Sequence, residues 1–157
     1  MCVSSAEMLR KLQSRTLREL RLLPEALVLL GLMRLAVLLV PFQRTAGFLG
    51  LTQKNGILPD VPSHQLSAAG TIGWAVRAMA ARTPWESACL TQALAGMIML
   101  QRRGIPAALY LGVAKDVADP KNMAAHAWLT CGDTMVTGES GYERFTVIST
   151  LLSRKSR

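Results

Sequence analysis

Read for apolar spacing, the chain changes period once. Met8, Leu9, Leu12, Leu17 and Leu20 recur at helical spacing with arginines between them, behind Ser4 and Glu7, which fit a capping box. An amphipathic first helix is therefore predicted. Pro24 suits the first turn of a second helix, which an apolar run carries to Val40 before Pro41 stops it. A short third helix is predicted from Phe42 to Gly50. Asn55-Gly56, Pro59 and Pro62 then punctuate residues 51–63 too closely for regular structure. Helical spacing resumes from Ser67 to Ala81, with Ile72, Val76 and Met79 on one side, until Thr83-Pro84 breaks it. The next helix starts near Ser87 or Ala88 and carries Leu90, Leu94, Met97 and Ile98 on its apolar stripe. It closes on Arg102-Arg103-Gly104 with Pro106 beyond, a cationic last turn followed by a C′ glycine.

From there the period is two. Ala107 to Val113 reads as a strand, Lys115 to Asn122 as a polar loop, and Ala124 to Thr130 as a second strand. Cys131-Gly132-Asp133-Thr134 is a tight turn signal, after which Met135 to Thr137 returns antiparallel, and Arg144 to Ile148 is one more strand. Helices followed by an antiparallel sheet make an α+β fold. The punctuated stretch divides a helical N-terminal region, residues 1–62, from a core, residues 63–157.

Composition narrows this picture. With 50% hydrophobic residues the chain of 157 can bury a substantial core, and its length suits one domain. Three cysteines, Cys2, Cys89 and Cys131, form no disulfide framework, which points to a reducing compartment, the cytoplasm by default. The net charge of +8 favours an acidic partner. Trp74, Trp85, Trp128, Tyr110 and Tyr142 are not interleaved with the arginines, so a nucleic-acid surface is not expected. The run from Ala26 to Val40 is interrupted by Arg34 and falls short of the about 20 residues a membrane span needs. It is expected to be buried or partner-facing, with peripheral membrane contact as the lesser alternative.

Two residues carry chemistry. Cys89 falls in the first turn of its helix, in Trp85-Glu86-Ser87-Ala88-Cys89-Leu90, where unpaired N–H groups and the positive end of the helix favour a thiolate. The alternative role for such a cysteine is a small buried hydrophobe. His126 opens the alternating segment His126-Ala127-Trp128-Leu129-Thr130-Cys131, on one face with Trp128 and Thr130, whereas Cys131 points the other way. A thiol and an imidazole are the minimum apparatus of a cysteine nucleophile and its base. Two histidines and three scattered cysteines make no recognisable zinc spacing, and no metal or cofactor is expected.

Trp85 to Leu90 at a helix start, Arg102-Arg103-Gly104-Ile105-Pro106-Ala107 at its end, the strand Leu109-Tyr110-Leu111-Gly112-Val113, and His126-Ala127-Trp128-Leu129 ahead of a Gly132-Asp133 turn together resemble the transglutaminase-like cysteine protease superfamily. Within it they resemble the standalone leader peptidases of lasso-peptide biosynthesis. The likeness covers Pro84 to Val147, and the apolar N-terminal helices with Pro41 are similar too. It implies a cysteine peptidase in which Cys89 attacks the scissile carbonyl, His126 moves the proton and a carboxylate orients the imidazole. The implied partners are a precursor peptide, a separate leader-recognition protein and the lasso cyclase, with the N-terminal face as the docking surface for the recognition protein or for the leader.

Two carboxylates compete for the third place. If Gly132 and Asp133 are the central turn residues, His126 lies opposite Glu139, within reach of a carboxylate. Asp133 then stands about 16 Å away at roughly 3.3 Å per residue, although the resemblance implies an aspartate. A bulge near Gly138 would change this register. The Cys89 N–H suits an oxyanion donor, with Trp85 or Gln92 as a second donor or cleft wall. A transglutaminase-like acyl transferase using the same pair, and a non-catalytic helical scaffold or peripheral membrane protein, are the competing readings.

Overall fold

The computed structural model describes residues 16–53, 60–84, 88–119 and 121–153. Most of the helix predicted from Ser4 lies outside them. Its end is the short helix α1, Leu17–Leu20, where the Glu19 carboxylate accepts the Thr16 N–H at 2.9 Å. Arg21 keeps helical angles, φ −65° and ψ −21°, so α1 runs on into α2, Leu22–Leu39. Val40 is extended ahead of Pro41, as the ring of a following proline demands. Then come α3, Phe42–Phe48, and a two-residue strand β1, Thr52–Gln53. So short a strand shows no alternation, which is why it is not legible in the sequence.

Helix α4, Ser63–Ala80, starts four residues before the predicted Ser67, because the Pro62 carbonyl already collects the N–H groups of Gln65 and Leu66 at 2.9 and 3.1 Å. Helix α5 is Cys89–Gln101. Gly104 takes a left-handed conformation, φ +66°, and lets the Ile105 N–H return to the Leu100 carbonyl at 3.0 Å. The strands that follow are β2, Ala108–Lys115, β3, Met123–Cys131, β4, Thr134–Thr137, and β5, Thr146–Leu152. A 3-10 turn at Tyr142–Arg144 delays β5 by two residues from its predicted start. All pairings are antiparallel and the sheet order is β1-β5-β2-β3-β4, an α+β fold.

Helix α2 packs on α4 and α5, α4 on β4, and α5 on β3. Leu30, Ile72, Val76, Leu94, Met97, Leu100, Leu109, Leu129 and Val136 are fully buried in one cluster, so the N-terminal helices and the sheet share a core. Glu25 fastens the start of α2 to the end of α5: its carboxylate receives Arg103 at 2.6 Å and Arg102 at 3.3 Å. The hydrogen bond from Arg103, ahead of the charge of both arginines, outweighs burial and holds the Glu25 carboxyl below its usual value. A depressed carboxyl stabilises the fold above its unfolded pKa and loses that contribution as pH falls through the folded pKa. Glu25→Gln is therefore expected to cost about 1 kcal/mol at neutral pH, a value kept small by the exposure of Arg102. The difference from wild type should vanish below the ordinary carboxylate range, as read by urea unfolding at neutral and acid pH.

Candidate active site

Cys89 is the first residue of α5, preceded by an extended Ala88, φ −57° and ψ 159°. The first intrahelical bond is the Gln92 N–H to the Ala88 carbonyl at 3.1 Å, so the N–H groups of Cys89, Leu90 and Thr91 have no intrahelical acceptor. The thiol is half-buried, whereas Cys131 lies fully in the core, where burial pushes its thiol pKa up.

His126 stands where the sheet loses a strand. Pairing of β4 with β3 covers only Leu129–Thr137, Thr130–Met135 and Cys131–Thr134. Val136 is an extra residue, a bulge that the sequence count does not include, so the ladder does not extend to place His126 opposite Glu139. Beyond Thr137 the chain turns at Gly138, φ +80°, leaving the first part of β3 with β2 alone as a neighbour. At that open edge a cleft of about 540 Å³ is lined by Arg77, Cys89, Gln92, His126, Gly138, Glu139 and Ser140.

The imidazole is fixed within this cleft. Its Nε2 lies 2.8 Å from the Gly138 carbonyl oxygen, and because a carbonyl only accepts, Nε2 carries the proton. Nδ1 is then the ring nitrogen with a free lone pair. Trp128 stacks beside the ring at 5.8 Å and Phe145 tilts against it at 5.0 Å. Gly112, opposite His126 on β2, leaves room for both: a Cβ there would come within 2.9 Å of each aromatic side chain. Among the described residues no hydrogen bond joins Cys89 to His126; such contacts commonly tighten only when substrate is bound.

The other predicted residues separate. Gln92, one turn along α5 from Cys89, and Glu139 both line the cleft. Asp133 is exposed in the two-residue turn between β3 and β4 and is not among the lining residues. Trp85 lies outside the described residues. Arg77 of α4 is a lining residue that sequence reasoning missed. Its guanidinium donates to the Val136 carbonyl, and Gly73, one turn earlier, presses on the same carbonyl, so α4 holds the bulge that ends β4. The signal was a single cation within the apolar segment from Ile72 to Ala81. No group of three or more His, Cys, Asp or Glu side chains gathers as a metal site among the described residues.

The family model described as the transglutaminase-like superfamily matches residues 29–150. The chain belongs to that superfamily. The match takes in most of α2, both halves of the cleft and most of β5. The transglutaminase-like superfamily includes cysteine proteases and acyltransferases. No curated protein and no solved structure matches the chain.

Proposed function

We propose that this transglutaminase-like protein is a cysteine peptidase that removes the leader from a lasso-peptide precursor in the cytoplasm. The observation that carries the chemistry is the sharing of one open cleft by the Cys89 thiol and an imidazole whose tautomer is set by the Gly138 carbonyl. Membership of a superfamily that includes cysteine proteases supports it. The leader as substrate rests on the likeness of the Cys89 and His126 segments to lasso leader peptidases.

In this mechanism Nδ1 of His126 takes the proton from Cys89, and Sγ attacks the carbonyl of the leader–core bond. The oxyanion meets the Cys89 N–H at the start of α5, where the helix has no acceptor for it. Collapse breaks the C–N bond, and His126 gives its proton to the leaving amine, leaving the leader as a thioester on Cys89. Water then attacks the thioester, with His126 taking its proton, and the leader departs as a carboxylate while the thiol is restored. Glu139, next to Gly138 on the cleft wall, offsets the charge of the imidazolium. Gln92 is the candidate second oxyanion donor. A separate leader-recognition protein delivers the precursor, and the lasso cyclase takes the freed amine.

Glu139→Gln is accordingly expected to lower kcat about tenfold and Asp133→Asn to stay within about twofold. Steady-state cleavage rates check this, and the reverse ranking would restore the turn aspartate as the third member. The reading as a whole is tested by mass spectrometry of a precursor incubated with this protein and a recognition protein, beside Cys89→Ala. A single cut at the leader–core junction, absent from the control, is expected. Since the cleft is open, an amine reaches the thioester as well as water; transfer of the acyl group to an added amine, in place of the cut, would favour the acyl transferase.

A further inference from the structure

A surface helix ordinarily turns charge outward, but α2 does not. Leu27, Val28, Leu32, Leu35, Leu38 and Leu39 are exposed, Val28 at 60% and Leu39 at 78%. At about 100° per residue these positions form one continuous face. The opposite face, with Ala26, Leu29 and Leu30, is buried in the core. Arg21 continues the outer face by spacing, two turns before Val28, and is itself exposed.

We infer that this face docks on an anionic lipid bilayer, α2 lying in the interfacial plane with its outer half against the acyl chains and the arginines on the phosphate headgroups. Charge points to that occupant. Residues 16–53 hold four arginines, of which Arg18, Arg21 and Arg44 are exposed, and two glutamates. Glu19 is bonded to the Thr16 N–H and Glu25 to Arg103. A second copy packed through the same face would bring the same cations and, among its described residues 16–53, no exposed carboxylate to answer them.

The chemistry of the face points the same way. It is aliphatic from Leu27 to Leu39, about 20 Å of helix, with no side-chain hydrogen-bonding group among its exposed leucines and valine. Protein interfaces instead carry a hydrogen bond every 100–200 Å² or so, which these exposed leucines and valine have no side-chain group to make. Spanning the bilayer is ruled out by the inner face, which the core needs, and by Glu25, which ties the helix to Arg102 and Arg103. That tie is at the end of α5 away from Cys89, about 20 Å along its 13 residues, and no residue of α2 is among those lining the cleft.

The test is flotation of the full chain with phosphatidylcholine vesicles with and without phosphatidylglycerol. Wild type should float with the anionic vesicles and release as salt rises. Val28→Asp combined with Leu35→Asp should weaken partitioning roughly a hundredfold. Arg18→Ala combined with Arg21→Ala should weaken it about thirtyfold, at roughly fivefold per cation. Both variants should keep the wild-type circular dichroism and rate of Cys89 alkylation, which separates lost docking from lost folding. A wild-type chain that stays unbound overturns the inference. If it also elutes as a dimer that the aspartate variant dissociates, the face belongs to a second copy; if it stays monomeric, to another protein.

Discussion

Cys89→Ala is expected to lower kcat roughly ten-thousandfold or more while leaving stability within about 0.5 kcal/mol of wild type. The asymmetry follows from position. As the first residue of α5, Cys89 is half-buried at the margin of the core, so removing one sulfur leaves no enclosed cavity, and alanine is well tolerated in a helix. Its Sγ, in contrast, supplies the nucleophile of the first step, and the cycle cannot start without it. Iodoacetamide should inactivate the wild-type protein by modifying Cys89 before Cys131, whose buried thiol has a raised pKa and no route to the reagent while the fold holds. Cleavage kinetics, thermal melting and peptide mapping read these together. Retained activity would return Cys89 to the role of a small hydrophobe at the base of an apolar helix.

That Cys89 and His126 face one cleft was legible as two separate local signals, a helix start and a strand alternation. Each depends on near neighbours in sequence: Ala88 and the apolar stripe of α5 for one, the buried residues Ala127, Leu129 and Cys131 for the other. Their meeting depends on where β4 leaves the sheet, and that rests on longer-range contacts. The bulge at Val136 is held by Arg77 and Gly73, more than fifty residues upstream, so counting along the hairpin gives the wrong partner for His126. Pattern alone also located α2 but left burial and a partner-facing role both open. Leucine and valine on both sides of a helix fit either, and only the packing of one side on α4 and α5 reveals that the other side is uncovered.

A main-chain acceptor is invisible to a search for a third side chain, since every residue has a carbonyl. What distinguishes Gly138 is its conformation. With φ +80° it lies where a side chain is strained, and a Cβ there would stand 2.6 Å from both the Ala127 carbonyl oxygen and Trp128 Cβ. The chain can therefore turn out of the sheet and bring its carbonyl to His126 only with glycine at this position.

Gly138→Ala is expected to cost about 2–4 kcal/mol and to lower kcat a hundredfold or more. Part of the stability loss is left-handed strain, about 1–2 kcal/mol, and the remainder is the backbone shift that relieves the contacts with Ala127 and Trp128. That shift pulls the acceptor from Nε2, releasing the imidazole from the tautomer that leaves Nδ1 as the base. Gly141→Ala is the matching control: Gly141 is also left-handed, φ +73°, but a Cβ there meets nothing within 4 Å. It should show the strain and keep kcat. Measured where both variants are folded, Gly138→Ala should lower kcat with little change in KM and alter the pH profile of cleavage. If the two glycine variants lose kcat equally, the Gly138 carbonyl is no more than a turn, and the carboxylate of Glu139 must orient His126 by itself.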